Sequence, residues 1–319
     1  MSENWDVIIV GAGPAGLSAA LVLGRCCRSV LLCDRGTPRS WASKAMHAFV
    51  TRDGVPPSEF RRLACAELEN YPNVSFWHGE VKRASRDGAG FRVHLARRTV
   101  HVRKLLLATG VFDQLPAIPG FTELFGTSVF PCPYCDGWEY RGRAVAVYGK
   151  RRRGFEMARA LTAWTRDIVL CTDGPAGLDV QAKKHLERNG VEVLPERIER
   201  LAIEDGRLKD VVFRSGRRIG REAVFFDTRS QLQSSLMEQL GCSFERGGRV
   251  KSGKYEATTV PGVYAAGNVI QDVQLSIIAA AEGARAAFGI NRALTREDFE
   301  RAATGRKRID HPRHEDRRS

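Results

Sequence analysis

Two uninterrupted apolar runs open the same local plan at separate places in the chain. Val7-Ile8-Ile9-Val10 has the unbroken apolar character of a strand covered on both faces of a parallel sheet. The glycine-rich turn Gly11-Ala12-Gly13-Pro14-Ala15-Gly16 follows, then a helical pattern from Leu17 to Leu23, then a strand from Ser29 to Cys33 that ends at Asp34. About 135 residues later the plan returns: Ala144 to Tyr148 predicts a strand, Gly149 a turn, Phe155 to Trp164 a helix, and Asp167 to Leu170 another strand. Two βαβ openings of this kind predict an α/β protein with two Rossmann-like, three-layer dinucleotide-binding domains.

After each opening comes a charged, alternating section, Val74 to Val102 and Leu201 to Phe226, whose period predicts antiparallel strands. Farther on, Gly262-Val263-Tyr264-Ala265-Ala266-Gly267-Asn268 predicts a strand running into a turn. An Ala-rich helix is expected from about Ser276 to Leu294, its small residues open to close approach by another backbone or a cofactor. Residues 302–319 carry Arg306, Lys307, Arg308, Arg313, Arg317 and Arg318 with almost no apolar content, the composition of a solvated, disordered tail.

With 319 residues the chain is long enough for two cores. No window offers the ~18 consecutive apolar residues of a membrane span, and the start, Met1-Ser2-Glu3-Asn4-Trp5-Asp6, is acidic where a signal peptide is basic. A soluble, cytoplasmic protein is expected. The net charge of +13 favours anionic cofactors or acidic protein partners. No recognition motif or basic–aromatic interleaving supports a nucleic-acid arm. The 8 cysteines, in a chain this long, do not form a disulfide framework. Six of them (Cys26, Cys27, Cys33, Cys65, Cys171 and Cys242) read as small buried hydrophobes, and the other two form a pair.

The first turn has the context that a GxGxxG string needs: a strand before, a helix after, and Asp34 beyond it, placed to accept from ribose hydroxyls. Gly11 makes the tight turn, Gly13 lets the backbone approach a pyrophosphate, and Gly16 lets the helix pack on the strand. The helix that follows, entered through Pro14 and Ala15, offers N–H groups to phosphates. FAD and NAD both use such a turn. Leu105-Leu106-Leu107-Ala108-Thr109-Gly110 and the Gly267-Asn268 turn add second and third approaches to one extended ligand, which favours FAD.

Cys132-Pro133-Tyr134-Cys135-Asp136-Gly137 is the most chemically pointed segment. Structural zinc needs four ligands, and there is no second CxxC or paired His. Two idle thiols remain an alternative. As a redox pair, one thiolate attacks a disulfide and its neighbour resolves the mixed disulfide. Asp136 stands where a carboxylate relays the accompanying proton, and it could also serve as a helix N-cap.

Together these motifs resemble the low-molecular-weight thioredoxin reductase family over about residues 4–296. The matches are Gly11–Gly16, Ala108-Thr109-Gly110, Cys132–Gly137 and Val260-Pro261-Gly262-Val263-Tyr264-Ala265-Ala266-Gly267. The resemblance implies a homodimeric FAD-dependent dithiol–disulfide oxidoreductase. Its FAD domain would be built from residues 1–116 and 246–299, with an inserted CxxC-bearing domain at 117–245 and the tail at 300–319. It implies that Cys135 faces the flavin, Cys132 attacks the disulfide of a thioredoxin-like protein, and Asp136 is the acid/base. It further implies that Gln274-Leu275-Ser276 meet the flavin through backbone N–H groups and that Asn268 holds a ribitol hydroxyl. Arg39, Ser43 and His47 resemble a segment found beside FAD in divergent relatives, although a structural role suits a lone His47 nearly as well.

Three departures fall in the domain that would hold NADPH. Gly149-Lys150-Arg151-Arg152-Arg153-Gly154 has Arg151 where the family has its second glycine. Cys171-Thr172-Asp173 stands in place of the family's His-Arg-Arg, and Phe226-Asp227-Thr228-Arg229 lacks the family's later glycine turn. The sequence therefore resembles the divergent branch without NADPH motifs. Its electrons would come from an acidic carrier such as ferredoxin or flavodoxin, steered by Lys150 to Arg153, a run that could equally be a solvated loop. An ordinary NAD(P)H-dependent reductase, a second flavin in the altered site, and a non-enzymatic FAD-bound redox sensor are the alternatives.

Overall fold

A computed structural model describes residues 4–227, 230–270 and 273–303. The chain begins β1 (Asn4–Val10), α1 (Pro14–Arg25), β2 (Val30–Asp34), α2 (Pro57–Leu68), β3 (Val74–His78), β4 (Arg83–Asp87), β5 (Gly90–His94) and β6 (Thr99–Leu107). There follow β7 (Val111–Asp113), α3 (Phe121–Leu124), β8 (Val129–Phe130), α4 (Pro133–Asp136), β9 (Val145–Tyr148), α5 (Arg151–Leu161) and β10 (Ile168–Cys171). Next come α6 (Val180–Arg188), β11 (Glu192–Leu194), β12 (Ile198–Glu204), β13 (Arg207–Phe213), β14 (Arg218–Gly220) and β15 (Ala223–Phe226). The last elements are β16 (Ser230–Leu232), α7 (Leu236–Gln239), β17 (Val263–Ala265) and α8 (Ser276–Ala303). Within the described residues, one compact unit takes 4–39, 58–111 and 232–303, and the other takes 40–57 and 112–231.

In the first unit β6 has nine residues and serves two partners along one edge. Its first half pairs antiparallel with β5, and its second half pairs parallel with β17. On its other edge β1 runs parallel, and β2 and β3 continue that sheet. Helices α1 and α8 cover one face, and α1 lies so close to α8 that a Cβ on Gly283 would stand 1.9 Å from the Ala15 carbonyl oxygen. That contact is what the small residues of the Ala-rich helix serve.

Helix α8 extends through Ala303, past the expected end at Leu294 and into the expected tail from 300. The cause is polar. Arg28 donates to Asn291 (2.7 Å), Thr295 (2.9 Å) and Asp298 (2.6 Å). Arg103 donates to Asp6 at 2.9 Å and to Glu297 at 3.0 Å, and it lies 2.7 Å from Asp298. Lys104 also pairs with Glu297. Residues 304–319, with the rest of the expected tail, lie outside the described residues.

The second unit repeats the plan. Its parallel sheet runs β11-β10-β9-β15-β8, with β12-β13-β14 forming a separate antiparallel sheet. Residues 232–245, expected here, pack instead with the first unit, where Leu236, Met237 and Cys242 fill the core beneath β1 and β6. Residues 40–57 pack with the second unit, and within it Trp41 rests on Phe125 with ring centroids 5.7 Å apart. The two alternating sections are not antiparallel throughout. Val74–His78 pairs parallel with β2, and Ala223–Phe226 pairs parallel with β9. Helix α5 starts at Arg151, inside the degenerate turn and ahead of the expected Phe155.

Candidate functional site

The turn between β1 and α1 is built by steric limits on three glycines. A Cβ at Gly11, whose φ is +106°, would meet the Ala108 carbonyl oxygen at 2.3 Å, so the 108–110 turn can lie directly against it. At Gly16 a Cβ would lie 1.8 Å from the Gly11 oxygen, which locks the helix start onto the turn. Gly13 is different: a Cβ there would meet nothing within 4 Å. The open space sits at the N-terminus of α1, where Pro14 occupies the first turn and the dipole favours an anion. Beside it, the buried Thr109 hydroxyl finds no hydrogen-bond partner among the described residues. An open backbone cradle and an unsatisfied hydroxyl fit a dinucleotide.

Asp34 is more committed than the sequence suggests. One carboxylate oxygen accepts from Ala12 N at 3.0 Å, and the other accepts from Gly36 N at 2.9 Å and from Arg61 at 2.5 Å. Its first task is to fasten the turn, which leaves few lone-pair sites for a ribose. Arg61, on α2, carried no sequence signal. Glu282 was missed as well: buried in α8, it accepts from Gly267 N at 2.7 Å. An acid inside an Ala-rich helical run is the signal that could have found it. Asn268 follows Gly267 half-buried, Gln274 accepts from Arg39, and Leu275 and Ser276 form the start of α8. Gly110 closes the 108–110 turn with φ +69°.

Ser43 and His47 belong to the second unit, unlike Arg39. Ser43 donates to the Ala45 carbonyl at 2.7 Å. His47 lies with Nδ1 3.4 Å from Asp53 and Nε2 3.7 Å from Glu139.

At the second opening the glycines five residues apart still touch, with a Cβ on Gly154 coming within 2.7 Å of Gly149. Between them Arg151 adopts φ +54° and donates its N–H to Ala176 at 2.8 Å. Its side chain lies against Gly177, whose own Cβ would come 2.9 Å from Arg151 Cγ. Lys150 donates to the Asp173 carbonyl at 2.8 Å, and the Asp173 carboxylate accepts from Ile198 N at 2.9 Å. Arg153 pairs with Asp227 at 3.1 Å. The turn is filled and laced to its own loops.

The pair Cys132–Cys135 is joined as a disulfide, Cα–Cα 5.4 Å, at the head of α4. Cys132 is the N-cap, so Asp136, at the other end of this short helix, does not cap it. Gly137 follows because a Cβ there would strike the Pro133 oxygen at 2.4 Å and the Trp164 ring at 2.9 Å. Burial pushes the Asp136 carboxyl up to about 7, with the His47 charge pulling it down and Glu139 pushing it up. Asp136, His47 and Glu139 line one cavity of about 220 Å³ with Tyr140, Lys44, Arg143 and Arg207. Tyr134 and Trp138 flank the pair, both exposed, and Tyr134 meets Trp164 edge-on.

Of the other six thiols, Cys33, Cys171 and Cys242 are buried as expected, and burial pushes Cys33 and Cys171 up to about 12. Cys65 is half-buried, and Cys26 and Cys27 are exposed, because they follow the last turn of α1 rather than facing its core. Among the described residues no cluster suited to a metal occurs, and no helix is long and apolar enough to cross a membrane.

This pairing of an open βαβ cradle with a helix-mounted CxxC defines a class. The profile of the pyridine nucleotide-disulphide oxidoreductase family matches residues 5–284, and the chain belongs to that family. It is a flavin disulfide oxidoreductase of the thioredoxin-reductase type. Thioredoxin reductase sirT of Leptosphaeria maculans is 30% identical over 305 residues, covering 90% of this chain and 93% of the relative. A probable thioredoxin reductase of Arthroderma benhamiae is 34% identical over 179 residues, and there the match spans only 44% of the relative. Among solved structures, HlmI is 34% identical with a TM-score of 0.92, covering 96% of this chain and 98% of that one. A putative thioredoxin reductase TrxB from Bacillus anthracis is 33% identical with a TM-score of 0.87, covering 92% of this chain and 99% of its own.

Proposed function

We propose that this protein is an FAD-dependent dithiol–disulfide oxidoreductase whose Cys132–Cys135 pair exchanges with the disulfide of a thioredoxin-like protein, without NADPH as donor. The observation that carries this reading is the Cys132–Cys135 disulfide adjoining Asp136, whose carboxyl titrates at about 7. A carboxyl poised there can both accept and return a proton at neutral pH. Gly11, Gly13, Gly16, Thr109, Gly110, Gly267 and the start of α8 would hold FAD, which when bound supplies two-electron exchange with the pair.

The chain's own residues do the rest. In the reduced pair, the Cys132 thiol gives its proton to Asp136, and the thiolate attacks one sulfur of the external disulfide. The S–S bond of that partner breaks and its second sulfur leaves as a thiolate. Cys135, giving up its own proton, then attacks Cys132 Sγ in the mixed disulfide. This restores the Cys132–Cys135 disulfide, and the two partner thiolates take up the two protons given up by the pair and leave as a dithiol. Exposed Tyr134 and Trp138 offer flat apolar contact for a protein partner.

The filled turn at Arg151 supports a donor other than NADPH. The exposed run Lys150-Arg151-Arg152-Arg153 suits an acidic carrier protein such as ferredoxin or flavodoxin. A homodimer in the cytoplasm completes the reading. The test is an anaerobic visible spectrum of the purified protein, titrated with NADPH and then with dithionite. Bleaching only by dithionite is expected, whereas bleaching by stoichiometric NADPH would restore an ordinary reductase.

A further inference from the structure

His47 sits on a segment shaped around it. Met46 bridges Val55 by a backbone hydrogen bond of 2.9 Å, and Gly54 N returns to Met46 O at 2.8 Å, so residues 46–55 close as a tight loop. Inside that loop Ala48 and Thr51 both hold positive φ, +60° and +70°, which side-chain-bearing residues adopt only under constraint. The constraint has a visible product. Ala48 N donates to Asp53 at 2.9 Å, which fixes the carboxylate 3.4 Å from His47 Nδ1. On its other side Nε2 faces Glu139 at 3.7 Å. The imidazole is thus held between two carboxylates, on the wall of the cavity that Asp136 also lines.

We propose that His47 is the proton-passing partner of Asp136, carrying between Asp136 and solvent the proton that each thiol–disulfide exchange releases or takes up. This rests on the exchange reading of Cys132–Cys135 and extends it. When the thiol S–H bond breaks, its proton goes to the Asp136 carboxylate while the sulfur forms its new S–S bond. Asp136 must then be cleared before the pair can turn over again, and it lies partly buried with no hydrogen bond to its carboxylate among the described residues. His47 accepts that proton and releases it to water, and the same path runs backwards when a leaving thiolate is protonated.

The other charged groups facing this cavity do not serve. Lys44, Arg143 and Arg207 are donors without an acceptor site. Tyr140 is committed to the Thr127 carbonyl at 2.9 Å, and burial pushes its hydroxyl further up. Asp53 and Glu139 flank the ring nitrogens, leaving the imidazole, which has one donor and one acceptor nitrogen when neutral, as the group on this wall able to take a proton and pass it on.

The test isolates exchange from any electron donor. The full-length flavoprotein is reduced with dithiothreitol, desalted, and mixed with dithiobis(nitrobenzoate) in a stopped flow. The phase of interest is the one that Cys132→Ser removes, which separates it from exposed Cys26 and Cys27. His47→Ala is expected to slow this phase about tenfold at pH 7, and imidazole at roughly 50 mM is expected to recover most of it. His47→Gln is expected to slow it equally but, with the space filled, to ignore imidazole. An unchanged His47→Ala rate overturns the inference, as does a slowed rate that imidazole does not move, which marks a packing role. If the parent shows no phase that depends on Cys132, the exchange reading itself falls, and this inference with it.

Discussion

At the β1–α1 turn Gly13 faces open space, whereas Arg151 at the matching position of the β9–α5 turn carries a side chain that lies against Gly177. The glycines that set the two folds, Gly11 with Gly16 and Gly149 with Gly154, keep the same close contact. What separates the turns is the middle residue: a Cβ at Gly13 would touch nothing, whereas Arg151 packs on Gly177 and its N–H donates to Ala176. The close-approach glycines are demanded by the fold, and the middle glycine is demanded only by a ligand. The second unit keeps its close-packed glycines with Arg151 in the middle position at φ +54°, so filling that position leaves the βαβ fold in place.

The largest effect should come from giving the first turn what the second already has. Gly13 has an ordinary extended backbone, φ −78°, and room for a side chain, so Gly13→Arg is expected to fold normally. It should bind flavin about 100-fold or more weakly, the loss of one or two charge-assisted hydrogen bonds to phosphate. Visible absorbance per chain after gel filtration, beside circular dichroism, checks this. A yellow Gly13→Arg protein would break the comparison. Gly16→Ala is the control, with its Cβ 1.8 Å from Gly11 O and the fold itself at stake.

The acids that follow each second strand diverge in the same way. Asp34 gathers Ala12 N, Gly36 N and Arg61 around the open turn, whereas Asp173 turns to Ile198 N. Removing Asp34 leaves two amides and a half-buried guanidinium without their acceptor. Asp34→Ala should therefore cost about 3 kcal/mol, against about 1 kcal/mol for Asp173→Ala, which loses a single hydrogen bond. Urea unfolding of the two variants measures the difference, and equal losses would mean that Asp34 does not anchor its turn.

What the sequence disclosed follows the same division. Both βαβ openings, the Gly11–Gly16 turn and the CxxC were legible because each rests on local spacing. Arg61 at Asp34, Glu282 at Gly267, and the Asp6–Arg103–Glu297–Asp298 cluster were not. Each joins charged residues distant in the chain, and alone such residues look like solvated surface. That cluster also explains why α8 outruns its apolar stripe. Val74–His78 deceived the period rule because, at the sheet edge, it is only half-buried and mixes Ser75 and His78 into what a central parallel strand would show as an unbroken apolar run. His47 was visible as part of a segment resembling one beside FAD, but its carboxylate partners were not, since they lie on a strained loop and beyond the CxxC.

The smallest effect concerns the third aspartate, which has no such partners. Asp34 is wrapped in donors, but burial governs Asp136 and raises its carboxyl from an ordinary 3.8 to about 7 in the folded, disulfide-bonded protein. A raised acid makes folding take up a proton. The stability this group contributes is present in full below about pH 4 and is lost as pH rises through about 7, where the folded state must hold a disfavoured carboxylate. Asp136→Asn never carries that charge. Its Tm should therefore exceed the parent's by about 2–4 °C above pH 8, with the gap closing towards pH 5. Thermal melts of the oxidised proteins across that range decide it. A gap independent of pH would mean that the amide merely packs better. A gap that opens at low pH would place the Asp136 carboxyl below its ordinary range, and neither exchange nor the His47 relay could then draw on it at neutral pH.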